Sequence, residues 1–243
     1  ALFGDGGFHM QEHARKGGNQ KGMAVGVADV PGPGFAQGFS LSVDAREQRI
    51  QRAYSFVNPP SAPYHEFYLV EIPDGELTPA LGALQLGDTL LVQSQATGFL
   101  TLDELPPGRD LWLLSTGTAI GPFLAMLAEG EAFERFENLV LVQGVRKGEE
   151  LTYQGLITSL VEQYGPRFHY VPFVSREPWP GALPGRIPAA IASGELQARA
   201  GLAFSAEHSP VMICGNPAMV KETQQTLLEL GLAKNLRRAP GNI

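Results

Sequence analysis

Residues 111–122 read LWLLSTGTAIGP. The four apolar residues Leu111-Trp112-Leu113-Leu114 form a short run suited to a strand buried on both faces. Ser115-Thr116-Gly117-Thr118-Ala119-Ile120-Gly121-Pro122 then reads as a turn that opens a helix. Glycine allows the tight turn and a close backbone approach, and Pro122 suits a first helical position. The free amides and dipole of a helix N-terminus attract anions. The spacing matches neither the GxGxxG fingerprint nor the P-loop. The stretch is therefore either a ligand-binding strand–turn–helix or a plain structural turn, and its place at the head of an α/β half favours the first.

Downstream the same rhythm repeats. Residues 139–142, 168–174 and 211–214 read as strands, and residues 122–128, 149–164, 187–193 and 217–230 as helices. Such alternation predicts a parallel sheet covered on both faces. Ligands of such sheets bind at the carboxyl ends of the strands.

Upstream the pattern changes. Residues 67–72 (FYLVEI) end in Pro73-Asp74-Gly75, and residues 88–93 (DTLLVQ) follow Leu86-Gly87. Short β-rich runs at close intervals predict a barrel or sandwich. Residues 77–86 suit one short helix, with Thr78 as N-cap and Pro79 at the first helical position. The change of rhythm falls near Leu105-Pro106-Pro107-Gly108, which divides the chain into domains 1–106 and 107–243. Residues 1–40 hold ten glycines and read locally as loop, although a barrel needs strands there.

Composition bounds the function. With 44% hydrophobic and 18% charged residues among 243, the chain can build packed cores. Its net charge of -7 argues against a general nucleic-acid surface. The single cysteine, Cys214, can form neither an internal disulfide nor an ordinary iron–sulfur site. No apolar run approaches the length of a membrane helix, and no secretory signal pattern opens the sequence. The expectation is a cytoplasmic, soluble monomer without membrane or nucleic-acid partners. His9 and His13 have i,i+4 spacing but no HExxH context, so no metal is expected.

Three further segments carry chemistry. In Arg52-Ala53-Tyr54-Ser55, the guanidinium can bind phosphate through paired hydrogen bonds. The tyrosine two residues on shares its side of a strand, where its ring can cover a flat cofactor; an ordinary amphipathic strand would read the same way. Arg146 and Arg176 follow separate strands, and Arg186 lies on a loop that can reach them. Together they suit a dianionic phosphate such as the 2′-phosphate of NADP. Two charge-assisted contacts contribute roughly 3–6 kcal/mol, about a hundred- to ten-thousandfold in preference over NAD. The alternative is surface arginines paired with Glu149, Glu150 or Glu177, which is worth little. Cys214-Gly215-Asn216-Pro217 ends the last strand. Its cysteine is either a small buried hydrophobe or a wall beside a reacting ring, and a nucleophile would need an activating neighbour such as His208.

In order and spacing, residues 49–241 resemble the bacterial ferredoxin (flavodoxin)-NADP reductases. The resemblance implies an N-terminal antiparallel FAD-binding β barrel followed by a parallel-sheet NADP-binding α/β domain. Arg52-Ala53-Tyr54-Ser55 matches the flavin motif, which implies that Arg52 holds the FAD pyrophosphate, that Tyr54 packs on the flavin ring with Ala53 in the same cofactor-binding segment, and that Ser55 bonds near N5. Tyr68, Leu69 and Val70 match the isoalloxazine segment, and Glu76, Leu77 and Thr78 the pyrophosphate segment. Thr116, Gly117 and Thr118 match the flavin and nicotinamide-ribose turn. Val145, Arg146, Ser175, Arg176 and Arg186 match the 2′-phosphate and adenosine site, and Gly215, Asn216 and Pro217 with Cys214 the strand end beside the nicotinamide. Ser55 and Cys214 are thus the residues expected at the reacting centre.

The implied activity is hydride transfer between NADP(H) and flavin N5, with single electrons passing to a ferredoxin or flavodoxin. Lys234, Arg237 and Arg238 would offer that partner a basic patch. Family members usually carry an aromatic tail beyond the segment matching Arg237-Arg238-Ala239-Pro240-Gly241, where this sequence shows Asn242-Ile243. Other readings of the same residues are an oxygenase reductase component, a diaphorase, a non-catalytic flavin- or nucleotide-binding regulator, or an interaction module with a purely structural turn.

Overall fold

Proline places the limits of the first sheets. The computed structural model describes residues 10–11, 22–28, 38–45, 48–85, 88, 90–92, 98–236 and 238–243. His9, His13 and Arg237 lie outside them. By internal contacts the chain forms two units, Ala1–Thr101 with Leu124–Glu129, and Leu102–Phe123 with Gly130–Ile243.

The first unit holds strands β1 (Met10–Gln11), β2 (Gly22–Ala28), β3 (Gly38–Ala45), β4 (Gln48–Ser55), β5 (Tyr64–Val70) and β6 (Leu91–Val92), with helix α1 (Thr78–Ala83) before β6. The strands pair antiparallel in two three-stranded sheets, ordered β1-β2-β5 and β4-β3-β6. The expected antiparallel barrel is therefore corrected: among the described residues the strands form two separate sheets that share no ladder, only one bridge, Phe56 to Phe67. Past the bridge the Val57 N–H still donates to the Glu66 carbonyl at 2.9 Å, but Pro59 and Pro60 come two residues later, and proline donates no backbone N–H. Asn58 continues the pairing with its side chain instead, donating to the Tyr64 carbonyl and accepting from the Glu66 N–H.

Alternation sets the core of this unit. Along β5, His65, Phe67 and Leu69 are buried while their neighbours are half-buried. Phe67 and Leu69 pack with Phe56, Leu77, Leu81, Leu90 and Val92. The glycine-rich stretch supplies β2 and β3 against its local signal, because each is paired along its whole length with β5 or β4; ladder pairing outweighs propensity. Thr78 does not cap α1. It is the first helical residue, after Leu77, and its hydroxyl accepts from the Ile72 N–H at 2.9 Å, closing the Pro73-Asp74-Gly75 turn.

The second unit is a five-stranded parallel sheet. Its strands are β7 (Asp110–Thr116), β8 (Asn138–Val145), β9 (Phe168–Val174), β10 (Leu183–Pro184) and β11 (Val211–Cys214), in the order β10-β9-β8-β7-β11. Helices α2 (Ile120–Glu129), α3 (Glu131–Arg135), α4 (Gln154–Tyr164), α5 (Ile187–Ser193), α6 (Glu195–Ala200) and α7 (Pro217–Glu229) connect them. The helix expected over 149–164 is split: a 3-10 turn covers Gly148–Glu150, and α4 begins at Gln154. One face of the sheet packs Trp112, Leu114, Val140, Val142, Val171, Phe173 and Val211 against Ile187, Ile191, Leu196 and Leu227. The alternate residues Leu111, Leu113, Leu139 and Leu141 point to the other face and are equally buried.

Strand order decides where a ligand fits. From β7 the chain steps outward through β8, β9 and β10, then returns to β11 on the opposite side of β7. The order reverses between β7 and β11, so a crevice opens beyond their carboxyl ends.

Candidate functional site

Thr116 ends β7 and Cys214 ends β11, and both termini meet at this reversal. The Asn216 N–H donates to Thr116 Oγ1 at 3.0 Å, tying the two strand ends together. Between them Gly215 has φ +142°, and a Cβ there would overlap Thr116 Oγ1; only glycine fits this crossing. On the β7 side Gly117 has φ +58° and nothing within 4 Å of where a Cβ would lie, so its backbone faces open space. Asn216 caps α7, its side-chain oxygen accepting from the Ala218 and Met219 N–H groups, and Pro217 has no N–H to offer. The head of α7 is thus satisfied internally, leaving the turn through Thr116, Gly117 and Thr118 as the candidate ligand-facing backbone.

Cys214 is half-buried, and burial pushes its thiol up, with a backbone hydrogen bond from Gly215 opposing. It stays a neutral thiol. His208 cannot activate it: the His208 carbonyl accepts from the Arg109 and Asp110 N–H groups at the entry of β7, whereas Cys214 aligns with Ser115 near its exit.

A second cluster lies at the exits of β8 and β9. Val145 aligns with Val174. The Ser175 N–H and hydroxyl both donate to the Val145 carbonyl, and the Arg176 N–H donates to the Arg146 carbonyl at 2.9 Å. Arg146 and Arg176 therefore leave neighbouring parallel strands side by side, both exposed, and among the described residues neither guanidinium has an ion-pair partner. The nearby glutamates are occupied otherwise. Glu150 accepts from the Arg146 and Lys147 N–H groups, Glu177 accepts from the Gly148 N–H at 2.8 Å, and Glu149 pairs with Lys147. Arg186 departs from the expected trio, since its guanidinium pairs with Glu222 of α7 at 3.1 Å.

In the first unit, Arg52 and Ala53 are exposed, and Tyr54 and Ser55 half-buried. Arg52 pairs with Glu76 at 2.7 Å with side chains 57% and 69% exposed, a contact worth at most about 1 kcal/mol that a phosphate can displace. Burial raises the Tyr54 phenol, with the Arg52 charge opposing. Leu69 and Leu77 face the core, so only their backbones could touch a cofactor, and Tyr68 and Val70 are half-buried beside them. A cation and a half-buried aromatic ring at the end of one strand suit a flavin dinucleotide. A backbone cradle and two unpaired guanidiniums in the other unit suit a phosphorylated one.

Glu150 and Glu177, weighed from the sequence as ion-pair partners of the arginines, instead accept from backbone N–H groups beside them, and spacing did not reveal Trp179, whose ring lies on Gly148. The Trp179 contact spans 31 positions and left no local signal.

Comparison with known proteins bears on the family and the fold. The family model described as an oxidoreductase NAD-binding domain matches residues 113–225, from β7 into α7. The flavodoxin/ferredoxin–NADP reductase of Escherichia coli (strain K12) is 50% identical over 184 residues, covering 76% of this chain and 74% of its own. The ferredoxin–NADP reductase of Pseudomonas aeruginosa is 38% identical over 214 residues, covering 83% and 81%. A crystal structure of a ferredoxin NADP+ reductase from Neisseria gonorrhoeae, with bound FAD and NADP, superposes with a TM-score of 0.89 at 33% identity, covering 97% of this chain and 95% of that one. With half of 184 aligned residues identical to such a relative, across about three quarters of both lengths, this chain belongs to the bacterial flavodoxin/ferredoxin–NADP reductase family.

Proposed function

We propose that this protein carries electrons between NADP(H) and a ferredoxin or flavodoxin through a bound FAD. The observation that carries the NADP part is the pair Arg146 and Arg176, side by side without ion-pair partners at the exits of adjacent parallel strands. Bound FAD would supply the chemistry, exchange of two electrons as one hydride with NADP(H) and of single electrons with the partner. The protein binds and orients.

In the first unit, Arg52 holds the pyrophosphate once Glu76 is displaced, and Tyr54 covers the ring. Ser55 bonds near the reacting nitrogen, and the backbones of Tyr68, Leu69 and Val70 line the ring edge. Glu76, Leu77 and Thr78 border the pyrophosphate, Thr78 by holding the turn at Ile72. These residues fall within an FAD-binding part, 1–106, and the rest within an NADP-binding part, 107–243. There, Thr116, Gly117 and Thr118 receive the ribose side of the nicotinamide, and Gly215, Asn216 and Pro217 shape the opposite wall. Cys214 contributes a neutral, polarizable surface rather than a nucleophile. Arg146, Arg176 and Ser175 bind the 2′-phosphate, with Arg186 joining only if it leaves Glu222.

The partner docks against basic residues including Lys234 and Arg238, which offset the net charge of -7 locally and steer an acidic protein. The protein acts as a cytoplasmic monomer with neither membrane nor nucleic acid; no helix among the described residues is long and apolar enough to cross a membrane. The test is the visible flavin spectrum under anaerobic conditions. Rapid bleaching by NADPH and slow bleaching by NADH is expected. Equal rates would remove the arginine assignment, and a colourless protein that FAD cannot reconstitute would remove the function.

A further inference from the structure

The chain has two tryptophans, and they live in opposite surroundings. Trp112 is fully buried in the sheet, while Trp179 is 42% exposed on the loop after β9. An exposed indole on a loop needs a reason, and here the loop is built to hold it. Pro178 and Pro180 flank it and narrow its backbone freedom. The Ala182 N–H donates to the Trp179 carbonyl at 3.1 Å, Arg199 donates to the Gly181 carbonyl, and Glu177 accepts from the Gly148 N–H. The ring itself rests on Gly148, where any Cβ would collide with it. One part of the ring is thus seated on backbone, and the rest meets solvent.

Its position is specific. Gly148 lies two residues beyond Arg146, and Trp179 three beyond Arg176. The 2′-phosphate of an adenosine sits on the same ribose that carries the base. A phosphate held by Arg146 and Arg176 therefore leaves the purine within one sugar's length of the phosphate, among the loops that present Trp179. We propose that Trp179 is the stacking platform for the adenine ring of the dinucleotide. This rests on the NADP reading of the two arginines. Because the ring is already fixed by its loop, little ordering is lost on binding.

The test uses the FAD-loaded protein and adenosine 2′,5′-bisphosphate, which carries the base and the 2′-phosphate but no nicotinamide. Calorimetric titration is expected to show Trp179→Ala weakened about tenfold, as for removal of an aromatic beneath a base, with Trp179→Phe restoring most of the affinity. In turnover with NADPH the loss falls on KM rather than kcat, which a general structural defect would not produce. Equal affinity in the native protein and Trp179→Ala overturns the platform. Full affinity in an Arg146→Ala/Arg176→Ala variant instead overturns the NADP reading beneath it.

Discussion

The Arg176 N–H donates to the Arg146 carbonyl at 2.9 Å, so these two residues emerge from β9 and β8 at the same level. Their shared register sets the two residues side by side, as the proposed 2′-phosphate site requires. Replacing either with alanine is expected to lower the preference for NADPH over NADH about tenfold or more, the worth of one charge-assisted bond to phosphate. Lysine should restore only part of it, since an ammonium lacks the planar fork. Ratios of kcat/KM for the two cofactors measure this directly.

Gly215 governs the crevice at the reversal. Gly215→Ala must place a Cβ against Thr116 Oγ1 at a backbone angle that L-residues rarely adopt. The expected destabilisation is about 3 kcal/mol, read by denaturant unfolding, with weaker NADP+ binding because the Asn216–Thr116 bond is strained.

Asp110 is buried at the entry of β7, where it accepts from Arg109 and from Asn138 at 2.7 Å. Burial alone would raise its carboxyl, but the hydrogen bonds from Arg109 and Asn138 and the charges of Arg109 and His208 outweigh it and hold the group below its ordinary value. Its contribution is complete above the ordinary aspartate pKa of 3.8 and is lost as pH falls through the lowered one. Asp110→Ala is expected to lose about 2 kcal/mol near neutrality. The gap between variant and native protein should narrow in acid unfolding series.

Tyr170 donates to Gln143 at 2.6 Å and accepts from Gln154 at 2.9 Å, joining β9, β8 and the head of α4. Burial pushes its phenol from 10.0 up to about 12, with the Gln154 bond opposing. A raised phenol stabilises the fold fully below pH 10 and loses that contribution as pH climbs toward 12. Tyrosinate absorbance in native protein should show a late-titrating group that is missing in Tyr170→Phe, and the variant should fall less steeply in stability across that window.

Much of the second unit was legible because its signals are local. The run 168–174 and the run 211–214 became β9 and β11 with those same bounds, since an apolar stretch bounded by turn residues leaves a buried parallel strand few alternatives. Asn216-Pro217 likewise marked the start of α7. The split of the helix expected over 149–164 was not legible, because Glu150 is held by backbone N–H groups of its own loop rather than by a helical turn.

The order of elements, the apolar strands, the turn at Thr116-Gly117-Thr118 and the positions of Arg146 and Arg176 at strand exits were determined by the sequence itself, through short-range sterics and burial. Tertiary structure decided the rest. Whether the first strands closed or stayed as two sheets depended on a pairing that ends just past the bridge from Phe56 to Phe67, where Pro59 and Pro60 follow. Whether Arg186 was free depended on Glu222, 36 residues away, and whether Trp179 was seated depended on a glycine 31 residues before it. Pairings of that kind are set by register and packing between distant segments, and no local pattern encodes which partner a side chain will meet.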